Sequence, residues 1–194
     1  GRPSDNPLII HIADRKSLDE IASEVSKKAE KLMDAFWPGP MTLIFRKKEN
    51  VPMSTTGGLE TVAVRMPSHP VARELIRQSG VYIAAPSANT SGRPSPTKAE
   101  HVIEDGGSVG IGLESTIVDM SEDIPVILRP GYITKEMLEN VVGEVKVDPA
   151  IVGEAPKKNI IAKAPGMKYR HYAPKGQMTI VEGDIDNVVA KINE

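Results

Sequence analysis

The sequence predicts an α/β fold built on a twisted, mixed and largely open sheet with flanking helices. Short runs rich in Val, Ile and Leu alternate with segments whose apolar residues recur at helical spacing. The intervals between these runs are irregular and contain no internal repeat, which argues against a regular barrel of strand–helix units. The 194 residues are 40% hydrophobic and 26% charged, as expected for a folded domain with its own core.

The first half of the chain predicts four strands and two helices. Ser17 and Glu20 form a capping box that opens one long helix over 18–36, with a single apolar stripe. A second helix is predicted over Pro70–Ser79, because Pro stands at its start and Gly80 just past its end. The predicted strands are Leu8–Ala13, Met41–Phe45, Thr61–Arg65 and Val81–Ala85.

The second half predicts the rest of this domain and the start of another. A capping box at Thr97 and Glu100 opens a helix to about residue 104, and a helix over Thr134–Val142 ends at Gly143. We expect residues 1–148 to form the main domain, 149–175 a linker, and 176–194 the start of a small second α/β domain. The strands predicted here are Ser115–Met120, Val126–Leu128, Val145–Val147 and Met178–Glu182, with a last helix over Ile185–Ile192.

Composition excludes several classes of protein. The absence of cysteine removes disulfide scaffolds, thiolate zinc sites, iron–sulfur clusters and cysteine nucleophiles, and fits a reducing cytosol. No apolar run approaches the roughly 20 residues of a membrane span. We therefore expect a cytoplasmic protein without a membrane partner.

Charge is unevenly distributed although the formal net charge is only −2. Residues 155–181 carry six Lys or Arg and no acid, whereas residues 99–154 carry twelve acids and three Lys or Arg. The basic stretch either folds back on the acidic region or holds an anionic ligand, or it is a solvated linker.

A stiff, polar loop follows the strand predicted to end at Ala85. Its sequence, PSANTSGRPSP, combines three prolines with small hydroxyl and amide side chains before a capped helix. Such a loop presents hydrogen-bond donors to an anion, which would place Ser87, Asn89 and Ser95 around a phosphate. The alternative is a turn rich in Asx and Ser motifs.

Other candidate residues lie near strand ends. Arg2 lies in a turn-rich opening, while Arg65 and Arg129 close two predicted strands, where a guanidinium can bind a carboxylate or phosphate through two bonds. Surface ion pairs or solvated arginines are the alternatives. His11 has apolar neighbours on both sides and is more typical of a hydrogen-bonded core residue than of a ligand.

The segment PGMKYRHYAP, residues 165–174, holds two of the four tyrosines beside Lys168, Arg170 and His171. Aromatic side chains next to cations can stack on a base and neutralise phosphate, whereas a plain linker needs neither. Phosphate-loop, dinucleotide, zinc-protease and serine-hydrolase motifs are absent, and the four histidines lack metal-ligand spacing. The residues favour nucleotide and anion positioning.

Taken together, seven segments resemble the threonylcarbamoyl-adenylate synthase family, with its YrdC-type domain. They run in the family order over nearly the whole chain, and the last resembles the linker of the two-domain branch. The segments are GRPSDNPLIIHI, FWPGPMTLI, TVAVRMPSHP, APSANTSGRPSPT, LESTIVDM, ILRPG and PGMKYRHYAP.

The resemblance implies an ATP-dependent nucleotidyltransferase. L-Threonine, bicarbonate and ATP, with Mg²⁺, would give threonylcarbamoyl-adenylate and pyrophosphate, and downstream transfer proteins would attach the threonylcarbamoyl group to an adenosine of tRNA. A weak contact with tRNA is part of this expectation. Little covalent help is needed, because positioning and charge stabilisation carry such chemistry.

The resemblance also assigns residues. Arg2 and Arg129 would stabilise charge, and Tyr172 of the linker would close over the nucleotide, while no side chain is assigned as acid, base or metal ligand. The implied threonine-binding positions are His11, Arg65, Ala85 (through its backbone) and Ser115. The implied ATP-binding positions are Arg2, Asn6, Thr61, Ser87, Asn89, Ser95, Arg129 and Tyr172.

The chain departs from the family pattern in three places. The family has a Lys two residues before the position of Arg2 and an upstream strand with a threonine-binding Thr, so we expect the chain to be a fragment. The connection at Glu104–Gly107 is about ten residues shorter than in the family, through a deletion or an unrecorded loop, and the second domain is truncated.

Two alternative functions remain at this point. One is an RNA-binding YrdC-like module without synthase activity, against which the net charge and the lack of an aromatic ribonucleoprotein motif argue. The other is carbamoyl transfer from carbamoyl phosphate, as in related hydrogenase-maturation proteins, against which the PGMKYRHYAP linker argues.

Overall fold

The computed structural model describes residues 5–86, 114–151, 183–184 and 189–191. The described chain forms one seven-stranded sheet flanked by five helices, which confirms the predicted α/β class with a mixed, open sheet. The strands are β1 (Ile9–His11), β2 (Met41–Arg46), β3 (Thr61–Arg65), β4 (Ile83–Ala85), β5 (Thr116–Asp119), β6 (Val126–Arg129) and β7 (Lys146–Val147). The helices are α1 (Leu18–Ile21), α2 (Lys27–Phe36), α3 (Met53–Thr56), α4 (Pro70–Ser79) and α5 (Lys135–Val142).

The strand order in the sheet is β4-β1-β3-β2-β5-β6-β7. Strand β1 is parallel to β3, β2 to β5 and β6 to β7, whereas the other three neighbouring pairs are antiparallel. Strands β2 and β5 meet at the centre of the sheet although they lie far apart in the chain. The fold therefore depends on long-range pairing.

The two faces of the sheet are different. Alternate strand residues such as Leu43, Phe45 and Val64 belong to a large core that also takes in buried residues of α1, α2 and α5. On the opposite face, the middle of the sheet carries a smaller buried cluster. Its members are Ile9, Ile44, Ala63, Ile117 and Leu128.

The prediction of one helix over 18–36 is wrong. The chain leaves helical geometry after Ile21, because Ala22 bridges to Lys47 and the Ser23 amide donates to the Arg46 carbonyl at 2.9 Å. Ser17 makes no side-chain cap either. The helix cap is Ser26, nine residues later. Its hydroxyl accepts a hydrogen bond from the backbone amide of Ala29, in the first turn of α2, at 3.2 Å.

The other predicted elements within the described ranges are confirmed with small changes of boundary. Strand β3 and helix α4 have the predicted limits, and Thr134 caps α5 by accepting from Met137 N at 3.2 Å. Helix α3 was not predicted. The helix opened by Thr97 and the strand at 178–182 lie outside the described residues, as do most of the linker and of the helix predicted at 185–192, of which 189–191 are helical.

Candidate functional site

Polar side chains gather at one end of the second sheet face. His11, Arg65 and Thr42 stand side by side on three adjacent strands, because His11 pairs with Arg65 and Arg65 pairs with Thr42 in register. Side chains paired in this way project from the same face of a sheet. The face therefore has an apolar middle and a polar end.

Ser115, the residue before β5, and Arg129, the last residue of β6, join this polar end. The Ser115 hydroxyl oxygen lies 3.0 Å from Thr42 Oγ1. It also accepts a hydrogen bond from Arg129 Nη2, at 3.0 Å. Arg129 Nε and Nη2 also donate to the Ser115 carbonyl at 3.1 and 2.9 Å, and Nη1 lies 3.1 Å from Glu114 Oε2. The guanidinium thus fixes the backbone and side chain of Ser115 together.

The turn after β6 explains why Arg129 and Ser115 are held so closely. A Cβ atom at Gly131 would lie 2.4 Å from the Glu114 carbonyl oxygen and 2.6 Å from Thr116 N, so only glycine fits. The Thr116 hydroxyl then bonds both the carbonyl and the amide of Ile133, at 2.8 and 3.0 Å. These contacts tie residues 114–116 to the turn that follows Arg129.

Arg65 is half-buried and carries an uncompensated charge among the described residues. Its Nε donates to the Gly39 carbonyl at 3.2 Å, and no described carboxylate lies within ion-pair distance. Burial lowers the pKa of the Arg65 guanidinium, and the positive charge of Arg129 lowers it further. A bound anion would relieve this repulsion, so the arrangement is suited to a carboxylate or a phosphate.

His11 is held as a neutral imidazole beside Arg65. Burial lowers its pKa below 6.5, and the charge of Arg65 lowers it further. Its Nδ1 is buried and forms no hydrogen bond of acceptable geometry with a described residue. A neutral imidazole offers one donor and one acceptor, as a hydroxyl ligand requires.

The lowered pKa of His11 predicts a pH effect on stability. Below about pH 6.5 the unfolded chain binds a proton at His11 more readily than the folded chain does, so wild type loses folding free energy as pH falls. We expect His11→Gln to lose less melting temperature than wild type between pH 7.5 and pH 5. His69→Gln, which removes a histidine before α4, is the control. A constant difference between wild type and His11→Gln across this range would contradict the prediction.

The remaining predicted residues that the structure describes lie away from the polar end. Thr61 begins β3, four residues and about 13 Å from Arg65. Ala85 pairs with Ile9 in β4, and Asn6 is buried just before β1, at the Thr61 end. Gly57, directly after α3, lets this helix approach the segment before β1. A Cβ atom added at Gly57 would lie only 2.8 Å from the Asp5 carbonyl oxygen.

Five predicted site residues lie outside the described ranges. Sequence reasoning also missed Thr42, which is fully buried at the centre of the polar end. A threonine in a strand is an ordinary residue, and only the pairing of β2 with β3 and β5 gives it significance. The five residues outside the described ranges are Arg2, Ser87, Asn89, Ser95 and Tyr172.

Within the described ranges, no helix has the length and hydropathy needed to cross a membrane. The same ranges contain no group of three His, Asp or Glu side chains placed to hold a metal ion.

Comparison with known proteins gives concordant matches. The chain is 53% identical to a threonylcarbamoyl-AMP synthase of Pyrococcus abyssi and 51% identical to one of Bacillus subtilis, over its full length in both cases. It superimposes on the crystal structure of P. abyssi Sua5 complexed with L-threonine with a TM-score of 0.88 and 52% identity, covering 99% of this chain. It covers 59%, 58% and 58% of those three proteins, respectively.

Two family models match successive parts of the chain. The model described as "Threonylcarbamoyl-AMP synthase, C-terminal domain" matches residues 133–194. The Sua5/YciO/YrdC model, described as "Telomere recombination", matches residues 1–131. Together with these relatives, the matches confirm the resemblance found in the sequence motifs, and the chain belongs to the Sua5/YciO/YrdC family.

Proposed function

We propose that this chain carries the catalytic part of an L-threonylcarbamoyladenylate synthase. The enzyme converts L-threonine, bicarbonate and ATP into threonylcarbamoyl-AMP and pyrophosphate in the cytoplasm, and downstream proteins transfer the threonylcarbamoyl group to tRNA. The observation that carries the proposal is the half-buried guanidinium of Arg65, which has no described carboxylate partner and lies near Arg129. The names of the relatives support the same reaction.

In this proposal the amino acid binds at the polar end of the sheet face. Arg65 binds its carboxylate, and the neutral imidazole of His11 hydrogen-bonds its hydroxyl, while Ser115 and the backbone of Ala85 complete this side. The threonine amine and bicarbonate give a carbamate with loss of water. These groups position the carbamate and exclude alternative orientations, which lowers the entropic part of the barrier.

ATP lies along the same face in this proposal. A carbamate oxygen attacks the α-phosphorus, the bond from that phosphorus to the bridging oxygen breaks, and pyrophosphate leaves. Arg129 and Arg2 stabilise the charge, and Asn6 and Thr61 at the other end of the face hold the rest of the nucleotide with Ser87, Asn89 and Ser95. Mg²⁺ would neutralise the phosphates, held mainly by their oxygens.

The domain division belongs to the same proposal. Residues 1–148 form the catalytic domain, residues 149–175 form a linker that covers the site with Tyr172, and residues 176–194 begin the second domain. Pairing of β7 with β6 supports extending the catalytic domain past residue 145.

Pyrophosphate release by the full-length natural protein tests the reaction. We expect release from ATP only when L-threonine and bicarbonate are both present, with threonylcarbamoyl-AMP detected by mass spectrometry in equal amount. Omitting either co-substrate is the matched control. Release that proceeds at the same rate without L-threonine would overturn the proposal.

A further inference from the structure

Thr42 carries a buried hydroxyl at the centre of the polar end and is not one of the residues that bind ATP or L-threonine in the proposed function. We propose that Thr42 is a positioning residue that turns the Ser115 hydroxyl hydrogen toward the amino-acid substrate. This inference rests on the proposed function. It follows from the hydrogen bonds that each group can make.

The direction of each bond follows from donor and acceptor capacity. A guanidinium has no acceptor, so Arg129 Nη2 must donate to Ser115 Oγ, where it fills one of two lone pairs. The hydroxyls of Thr42 and Ser115 are 3.0 Å apart, and geometry alone allows either to donate. Both residues are buried, so whichever hydroxyl donates, the hydrogen of the other needs an acceptor of its own.

Ser115 Oγ is the only described partner of the Thr42 hydroxyl, and Thr42 is fully buried. If Ser115 donated, the Thr42 hydrogen would be buried without an acceptor, which costs free energy. In the proposed function only Ser115 faces a substrate that can accept its hydrogen, so Thr42 donates, and both lone pairs of Ser115 Oγ are filled. The Ser115 hydrogen must then point away from Thr42 and Arg129 and find its acceptor elsewhere.

The substrate side offers that acceptor. Thr42 is paired in register with Arg65, so only β2 separates Ser115 from the strand whose guanidinium binds the substrate carboxylate in our proposal. A carboxylate accepts up to four hydrogen bonds and can take both the Arg65 and the Ser115 donors. Thr42 is well suited to this role because its β-branched side chain has few rotamers in a strand.

Steady-state kinetics of the full-length protein tests the inference. Thr42→Val keeps the shape and removes the hydroxyl, and we expect the KM for L-threonine to rise about tenfold while the KM for ATP stays within about twofold. Thr42→Ser keeps the hydroxyl and should restore the wild-type KM. If Thr42→Val fails to fold, as judged by its melting curve, Thr42→Ala removes the same hydroxyl and takes its place.

A double-mutant cycle with Ser115→Ala separates positioning from mere packing. If Thr42 acts through Ser115, then Thr42→Val adds no further loss in the Ser115→Ala background. An unchanged KM in Thr42→Val, or an equal loss in both backgrounds, would overturn the inference. Calorimetric binding of L-threonine to wild type is measured first, because failure there refutes the proposed function rather than the role of Thr42.

Discussion

Replacing Arg65 with methionine is expected to lower kcat/KM for L-threonine at least 100-fold without lowering the melting temperature. A carboxylate bound by a fixed guanidinium contributes about 3 kcal/mol, which corresponds to roughly 100-fold. The folded protein gains little from this charge, since Arg65 is partly desolvated, near Arg129, and without a described carboxylate partner. We therefore expect kcat/KM for L-threonine to fall while the melting temperature of Arg65→Met rises or stays unchanged.

Arg46→Met is the matched control for this variant. Arg46 shares the face of β2 with Thr42 but lies at the other end of the strand, with 59% of its side chain exposed and Glu122 as its partner. We expect its kinetics to be close to wild type. Threonine-dependent turnover that survives in Arg65→Met, or a fall of several degrees in its melting temperature, would contradict the assignment.

Gly131→Ala is expected to destabilise the protein by about 3 kcal/mol, the upper end of the range for overpacking a fitted interior. The new Cβ would meet two backbone atoms, the Glu114 carbonyl oxygen at 2.4 Å and Thr116 N at 2.6 Å, and neither can swing aside as a side chain would. The segment that carries Ser115 has to move. At this chain length the loss corresponds to about 6–12 °C in melting temperature.

Gly80→Ala separates this clash from ordinary glycine effects. Gly80 ends α4 at φ +65 and has nothing within 4 Å of an added Cβ, so the variant should lose only about 1 kcal/mol through backbone strain. Thermal melts and L-threonine titrations of both variants provide the comparison. Equal losses in the two proteins, or normal threonine binding by Gly131→Ala, would show that the tight packing at Gly131 is unimportant.

The sequence allowed good prediction wherever local chemistry decides the structure. Helix α4 has its predicted limits because a proline begins it and a glycine ends it. The helix over 18–36 was mispredicted because its periodicity continues through Ala22, whereas the backbone there bonds to the end of β2. No local pattern reveals that a distant strand competes for these backbone groups.

The candidate site also contains residues that local sequence patterns indicate and one residue that only the tertiary structure reveals. Arg65, His11, Ser115 and Arg129 were found from strand ends and motifs, and the structure brings them to one end of a single face. Thr42 was missed, because its importance arises from its register with Arg65 and its bond to Ser115. Register across strands distant in the chain is a tertiary property, beyond the reach of periodicity.

The pairing at the centre of the sheet also has a consequence for biosynthesis. Thr42 and Ser115 are separated by 73 positions. A ribosome needs roughly 4–15 s to synthesise that length, and during this time the β5-facing edge of β2 waits unpaired in the nascent chain. Protection by chaperones during translation would therefore matter more for the yield of this protein than for one whose central strands are neighbours in sequence.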